Sequence, residues 1–371
     1  MQLPTYVLEI LKVLEDAGFE SYIVGGSVRD SLLGKFPKDY DIATQALPEE
    51  IKDLFPKTVP TGEKFGTITV LSERPVEVTT FRKDGPYRDS RHPLTVSFSK
   101  NLKDDLMRRD FTINAIAYSP KKGFIDPLAG KKDLRAKMIR AIGNKEERFQ
   151  EDALRSLRAI RFCSTLGEGW LIEEATFKAM KNTAFLVKNI SHERITDELI
   201  KIINGLLPTK GLILLSEISE KAFGQKLEIV NLESMPPKIE LRLSLILKKN
   251  PWLSQWLVLP KKTRKHIEII LTDYPLPQNE TELRHLCYHV GRDYLDDWLV
   301  FRGQKPQAAS LRQIPINIED LAIDGFDVEK LVGKGPVVGD ILIELASLVR
   351  ENPSLNTRES LLKLITHKGE P

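Results

Sequence analysis

The sequence predicts a mixed α/β head followed by an all-helical remainder. Two observations carry this. The first third holds short β-branched apolar runs separated by Gly and Pro turns and interleaved with helix signals. From about residue 131 the apolar residues recur with the helical period instead, and strand signals become rare. With 371 residues there is chain for two or more domains with cores of their own. Proline-bearing loops near 236–237, 275–277 and 305–306 are candidate boundaries within the helical part.

Each element has a local reason. Glu9, Lys12, Glu15 and Asp16 recur at helical spacing, so the first 18 residues read as an amphipathic helix rather than a signal peptide. Tyr22, Ile23 and Val24 form an apolar run halted by Gly25 and Gly26, a strand ending at a tight turn. Ser27 reads as the N-cap of a helix over 28–33 that Gly34 closes. Strands follow over 40–43, 66–71 and 76–81, the last alternating as VEVTTF, with a proline-led helix over 48–55. Residues 83–93 mix charges, Gly and Pro without apolar period and read as a mobile loop. Apolar stripes predict helices over 148–166, 172–180 and 193–203.

Composition excludes several classes. Two cysteines, Cys163 and Cys287, rule out a disulfide framework and suit a reducing cytoplasm. No apolar run approaches the roughly 18 residues of a membrane span. A net charge of +3 does not announce a nucleic-acid partner, so any such site must come from local clustering of Lys and Arg. His285 and His289 have a zinc-compatible spacing but no further ligands beside them.

The chemistry is concentrated in three stretches. Asp39 and Asp41 stand at i and i+2 on a predicted strand, on one face and about 7 Å apart. Two such carboxylates can share a hard cation such as Mg²⁺, and Glu77 on a following strand is the best-placed third. A D-x-D alone is more often a solvated surface pair. Here the Gly25-Gly26 turn opens a helix, whose N–H groups can cradle a triphosphate, and Arg29 adds a charged clamp. Next comes Arg108-Arg109-Asp110. The arginines can neutralise phosphate and the aspartate can accept from a ribose hydroxyl, although a surface ion-pair group has the same composition.

The third stretch can read a base. Asp152 and Arg155 are i and i+3 in a predicted helix, hence neighbours. Cytosine and adenine both present an amino donor beside a ring-nitrogen acceptor, whereas uracil and guanine present the reverse. An acceptor–donor pair therefore admits C and A and leaves unpaired groups against U and G, at about 1–3 kcal/mol each. Arg158 lies one turn on. Arg161 points about 180° from Asp152 if the helix is straight, so geometry alone does not bring it to the same ligand.

These stretches carry a resemblance. GGSVRDSLLGKFPKDYDIAT (25–44), RRDFTINA (108–115) and EDALRSLRAIRF (151–162) resemble the motifs of the tRNA nucleotidyltransferase and poly(A) polymerase family, and in particular class II CCA-adding enzymes of bacterial type. The resemblance implies a polymerase-β-like nucleotidyltransferase head in which Asp39 and Asp41 hold catalytic Mg²⁺, with Glu77 as third carboxylate. It further implies that Gly25, Gly26, Arg29 and Arg109 bind nucleotide and that Asp110 favours ribose. Asp152, Arg155, Arg158 and Arg161 would then select the base. The 84–93 loop DGPYRDSRHP is like the one associated in relatives with passing from C to A addition, and SHERI (191–195) is like the last core motif, read as a support for the neck.

The implied activity is template-independent addition of CCA to the 3′ end of tRNA from CTP and ATP. Residues 1–145 would be the head, 146–205 the neck, and 206–290 and 291–371 the body and tail that hold the acceptor and TΨC arms. The basic groups Lys248, Lys249, Lys261, Lys262, Arg264 and Lys265 suit that task, as does a solvated helix face. A homodimer is one assembly open to the chain. Poly(A) polymerase, CC-only or A-only addition, and an inactive RNA-binding module stay open as alternatives.

Overall fold

The computed structural model describes residues 1–85, 95–311 and 314–366. Most of the loop expected over 83–93 therefore lies outside the described residues. Two compact units are formed, one from Met1–Ser234 with Lys249–Val258 and one from Met235–Lys248 with Leu259–Pro371.

The first unit opens with α1 (Thr5–Asp16), β1 (Ser21–Val24), α2 (Gly26–Leu32), β2 (Asp41–Thr44), α3 (Pro48–Leu54), β3 (Thr58–Gly62), β4 (Thr67–Leu71) and β5 (Pro75–Thr80). A hairpin of β6 (Arg82–Asp84) and β7 (Val96–Phe98) leads to α4 (Leu102–Met107), β8 (Ala117–Ser119), β9 (Gly123–Ile125) and α5 (Gly130–Arg135). Among the described residues the central sheet has seven strands in the order β3-β4-β5-β2-β1-β8-β9, with β2 and β5 its only parallel pair. β1 is buried at every position, which is why its sequence is a continuous apolar run rather than an alternation. β5 alternates, with Val76, Val78 and Thr80 inward and Glu77 outward. Tyr22, Val24, Ala43 and Phe81 of the sheet region pack with Leu102 and Leu106 of α4.

Beyond a short parallel pair of β10 (Met138–Ile139) and β11 (Leu171–Ile172), the unit is helical: α6 (Lys145–Glu151), α7 (Leu154–Thr165), α8 (Glu174–Thr183), α9 (His192–Ile203) and α10 (Pro208–Phe223). The second unit contains α11 (Ile239–Lys249, its last residue grouping with the first unit), α12 (Lys261–Ile270), α13 (Glu280–Val290), α14 (Arg292–Phe301), α15 (Gly325–Val332), α16 (Val337–Glu351) and α17 (Arg358–Thr366). Its apolar stripes close two cores, one around Leu295, Trp298 and Leu299 and one around Val328, Leu345 and Leu361. Among the described residues no helix is long and apolar enough to cross a membrane.

Four expectations need correction. Ser27 is not an N-cap: α2 begins at Gly26, two residues earlier than expected, and the Ser27 hydroxyl donates back to the Val24 carbonyl at 3.1 Å. Gly25 makes the earlier start available, because its φ of 76° and ψ of −137° turn the chain at once. β2 starts at Asp41, so Asp39 precedes the strand; Val24 is the last partner β1 can offer, opposite Asp41, before that turn. Lys83 belongs to β6, not to a loop. The helix expected over 148–166 is two helices. Asp152 breaks it with extended backbone (φ −144°, ψ 100°), and its carboxylate accepts from the Leu154 amide at 3.1 Å as a local cap.

Candidate active site

One cleft of about 770 Å³ gathers eleven of the twelve residues singled out in the sequence: Gly25, Gly26, Arg29, Asp41, Glu77, Arg109, Asp110, Asp152, Arg155, Arg158 and Arg161. Asp39 is solvent-exposed and does not line it. Eight arginines and four carboxylates face the cleft, an excess of positive charge that suits a polyphosphate.

Strand register builds the carboxylate edge. Asp41 of β2 is the direct parallel partner of Glu77 of β5, so the two acids stand side by side on one face of the sheet. Burial, then the negative Glu77, raise the affinity of Asp41 for a proton; Arg109 opposes this and Asp39 adds to it. Asp41 keeps an open face to the cleft, yet desolvation is still the largest influence on it. Among the described residues no three His, Cys, Asp or Glu side chains are gathered closely enough to cage a metal ion. The donor set nonetheless fits a hard divalent cation in kind: all oxygen, two carboxylates in mutual repulsion, and a third, Asp39, one step outside.

The glycine turn borders this edge. A Cβ on Gly25 would lie 3.2 Å from Arg109 Nη1 and 3.4 Å from Asp41 Oδ2, so a side chain there would fill the mouth between cation and carboxylate. α2 has only two turns, but its first amides have no acceptor within the helix. Arg29 does not reach into the cleft as a free clamp. Its Nη1 donates to Asn114 Oδ1 at 2.7 Å, its Nε to Asp30 at 2.8 Å, and its guanidinium lies over the Phe162 ring.

Asp110 is buried and fully occupied. Oδ1 accepts from the Phe111 amide at 2.8 Å and from Asn114 Nδ2 at 2.9 Å. Oδ2 accepts from Arg158 Nε at 2.8 Å and Nη2 at 2.6 Å. Burial works to raise its pKa, but the Arg158 charge and these hydrogen bonds outweigh it and hold the carboxyl far below the usual carboxylate range.

Asp152 and Arg155 share the cleft; the Arg155 amide donates to the Asp152 carbonyl at 3.0 Å, while their side chains bond to other partners. Asp152 Oδ2 accepts from Arg194 Nη2 at 3.0 Å, while Arg155 donates to Glu151 Oε2 at 2.9 Å and to the carbonyls of Arg148 and Arg108 at 3.0 and 3.2 Å. Each keeps capacity for a ligand: Asp152 has an unused acceptor site, and Arg155 has further N–H groups. The break at Asp152 also removes the straight-helix objection to Arg161, which lines the same cleft and sits 2.9 Å from Glu198, too misaligned for a hydrogen bond.

Two further cleft residues are not among those predicted: Asn114, within RRDFTINA, links Arg29 to Asp110, and Arg194, within SHERI, meets a partner forty-two positions away that leaves no local signal.

Comparison with known proteins follows the same outline. Residues 21–140 match the poly A polymerase head domain, and residues 170–219 match the family described as a probable RNA and SrmB-binding site of polymerase A. A CCA-adding enzyme of Listeria monocytogenes is 36% identical over 98% of this chain and 98% of its own length. That of Geobacillus stearothermophilus is 36% identical over 95% of this chain and 94% of its own. The chain belongs to the family of CCA-adding enzymes. The crystal structure of the Bacillus stearothermophilus CCA-adding enzyme in complex with CTP superposes with a TM-score of 0.85 at 32% identity, covering 99% of this chain and 98% of that one. A Thermotoga maritima CCA-adding enzyme, at 20% identity and a TM-score of 0.66, shares the fold. The head is thus a nucleotidyltransferase domain of the kind found in CCA-adding enzymes, followed by helical regions. Enzymes of this family generally use a divalent metal.

Proposed function

We propose that this chain adds CCA to the 3′ end of tRNA from CTP and ATP, transferring each nucleotide to the terminal 3′ hydroxyl with release of pyrophosphate. The observation that carries this is the single cleft in which the Asp41–Glu77 edge, the Gly25 turn and the Asp152–Arg155 pair face one another. Magnesium is the proposed ion: Asp41 and Asp39, with Glu77 beside them, would hold it, and it would supply charge neutralisation and activation at the transferring phosphate.

The chain's own residues do the rest. The turn at Gly25 and Gly26, with Arg109, receives the triphosphate, since only a glycine leaves that mouth open. Asp152 accepts the amino proton of C or A, and Arg155 donates to the ring nitrogen. Asp110 meets the ribose by exchanging one of its four bonds, or through Arg158 and Asn114, which it holds. Arg158 and Arg161 add positive charge along the nucleotide. Residues 1–145 would carry transfer and 146–205 selection. Residues 206–371, with exposed Lys261, Lys262, Arg264 and Lys265, would hold the tRNA acceptor and TΨC arms by shape and phosphate charge.

The test is tRNA ending at the discriminator base, incubated with the protein and Mg²⁺, with each nucleotide offered singly and then CTP plus ATP. A ladder stopping at +3 is expected. Long A tracts would assign it to poly(A) polymerase, a stop at +2 to CC addition, and no product to a binding module.

A further inference from the structure

Asp105 is the least accessible ionised side chain beside the cleft. It is fully buried, on α4, and does not line the cleft itself. Its two oxygens are divided between the two arginines that do. Oδ1 accepts from Arg108 Nε at 2.8 Å and lies 2.7 Å from Arg108 Nη2; Oδ2 accepts from Arg109 Nη2 at 2.9 Å. The spacing is i+3 and i+4, so one carboxylate at the end of α4 reaches both. Leu102 and Leu106 anchor that end in the core of the sheet. The far side of Arg109 is the part aimed at ligand, with Nη1 3.2 Å from the Cβ position of Gly25. Burial opposes ionisation of Asp105, but Arg109 and Arg108 outweigh it and the carboxyl stays charged.

We infer that Asp105 is a positioning residue for nucleotide binding: it holds Arg108 and Arg109 side by side, against their mutual repulsion, with their open faces toward the triphosphate. This rests on the reading above that Arg109 meets the triphosphate. A carboxylate is required because both of its oxygens accept. An amide in the same slot would offer its oxygen to one arginine and turn NH₂ donors on the other, releasing it. On the reading that Arg108 and Arg109 meet the β- and γ-phosphates, the effect falls on ligands that carry them.

The experiment measures CTP and CMP binding by calorimetry in one magnesium buffer, on the full chain, with thermal unfolding as the check on folding. Asp105→Asn should weaken CTP on the order of ten-fold or more, the worth of one charged hydrogen bond, and change CMP by less than about two-fold on the same scale. In a chain already carrying Arg108→Gln and Arg109→Gln, adding Asp105→Asn should cost CTP affinity nothing more. Unchanged CTP binding, equal losses for CTP and CMP, or a further loss in the combined variant would each overturn the inference. If Asp105→Asn does not fold, Asp105→Glu is read against the same two ligands: the longer acid displaces both arginines, so selective loss of CTP supports the inference and wild-type affinity overturns it. Should Arg109→Gln alone leave CTP affinity intact, the triphosphate reading fails, which this separates from failure of Asp105 to act through the arginines.

Discussion

Replacing Glu77 by Gln should make the metal-free protein more stable and the metal-bound protein less so. Glu77 and Asp41 are direct partners on adjacent parallel strands, so their carboxylates stand on the order of 5 Å apart. Like charges at that distance repel by about 3 kcal/mol at an effective dielectric of 20 and by about 0.8 kcal/mol in water. Both side chains are open to the cleft, so the screened end applies, and relief of about 1 kcal/mol is expected. The sign follows from Asp41, whose folded pKa is raised by burial and then by Glu77. A raised carboxyl pKa means that ionisation costs stability. The penalty is absent below the ordinary carboxylate value of 3.8 and grows as pH rises through the folded value. The Gln variant should therefore show a flatter stability curve as pH rises above the ordinary carboxylate value and, in EDTA at pH 7, a midpoint for the first compact unit higher by about 2–3 °C. Added Mg²⁺ should reverse the ranking, because the wild type gains about 1.4 kcal/mol at ten times its dissociation constant and the variant gains less. Calorimetry in EDTA and across a Mg²⁺ titration reads both effects. A lower midpoint in EDTA, or an equal Mg²⁺ gain in both proteins, would refute a shared cation site at Asp41 and Glu77.

Three other perturbations test separate parts of the site. Asp152→Asn replaces an acceptor-only group by one that can also donate, and should raise UMP misincorporation relative to CMP by about ten-fold to a hundred-fold, the equivalent of one buried mismatch; unaltered C-over-U preference in single-nucleotide extension would remove Asp152 from base reading. Arg158→Gln removes the charge and both hydrogen bonds on Asp110 Oδ2. Because the depressed pKa of Asp110 contributes stability that is present above the ordinary carboxylate value and lost as pH falls through the folded value, the variant should lose about 2 kcal/mol at neutral pH, discounted because Arg158 is 34% exposed, and unfold at a higher pH in an acid titration followed by circular dichroism. Cys163 and Cys287 are buried and their thiols are each pushed up to about 11, so iodoacetamide at pH 8 should label neither in the native protein and both in denaturant; rapid native labelling would contradict the packing of α7 and α13.

What the sequence conveyed and what it withheld divide along the range of the interactions involved. Gly25, Asp41, Asp110 and Asp152 each stand in a short motif whose chemistry can be argued from spacing, and all four face one cleft. Apolar residues at helical spacing through Phe149, Ala153, Leu157 and Ile160 predict one helix across Asp152, whereas the structure breaks there. Tertiary contact settled that conflict: Arg194 on α9 draws on the carboxylate, and Arg155 ties α7 back to Glu151 and the Arg148 carbonyl across the break. The Arg194 partner of Asp152, forty-two positions away, leaves no local trace; Arg108 and Arg109 stand at the legible i+3 and i+4 spacing from Asp105, but the full burial of that carboxylate depends on the core into which α4 packs. The same break changes what the base-reading motif can do. On a straight helix Asp152, Arg155 and Arg161 would fan around the axis and could not meet one nucleotide. With Asp152 on extended backbone ahead of α7, all three line the same cleft, the arrangement that the proposed reading of C and A by an acceptor and arginine donors requires.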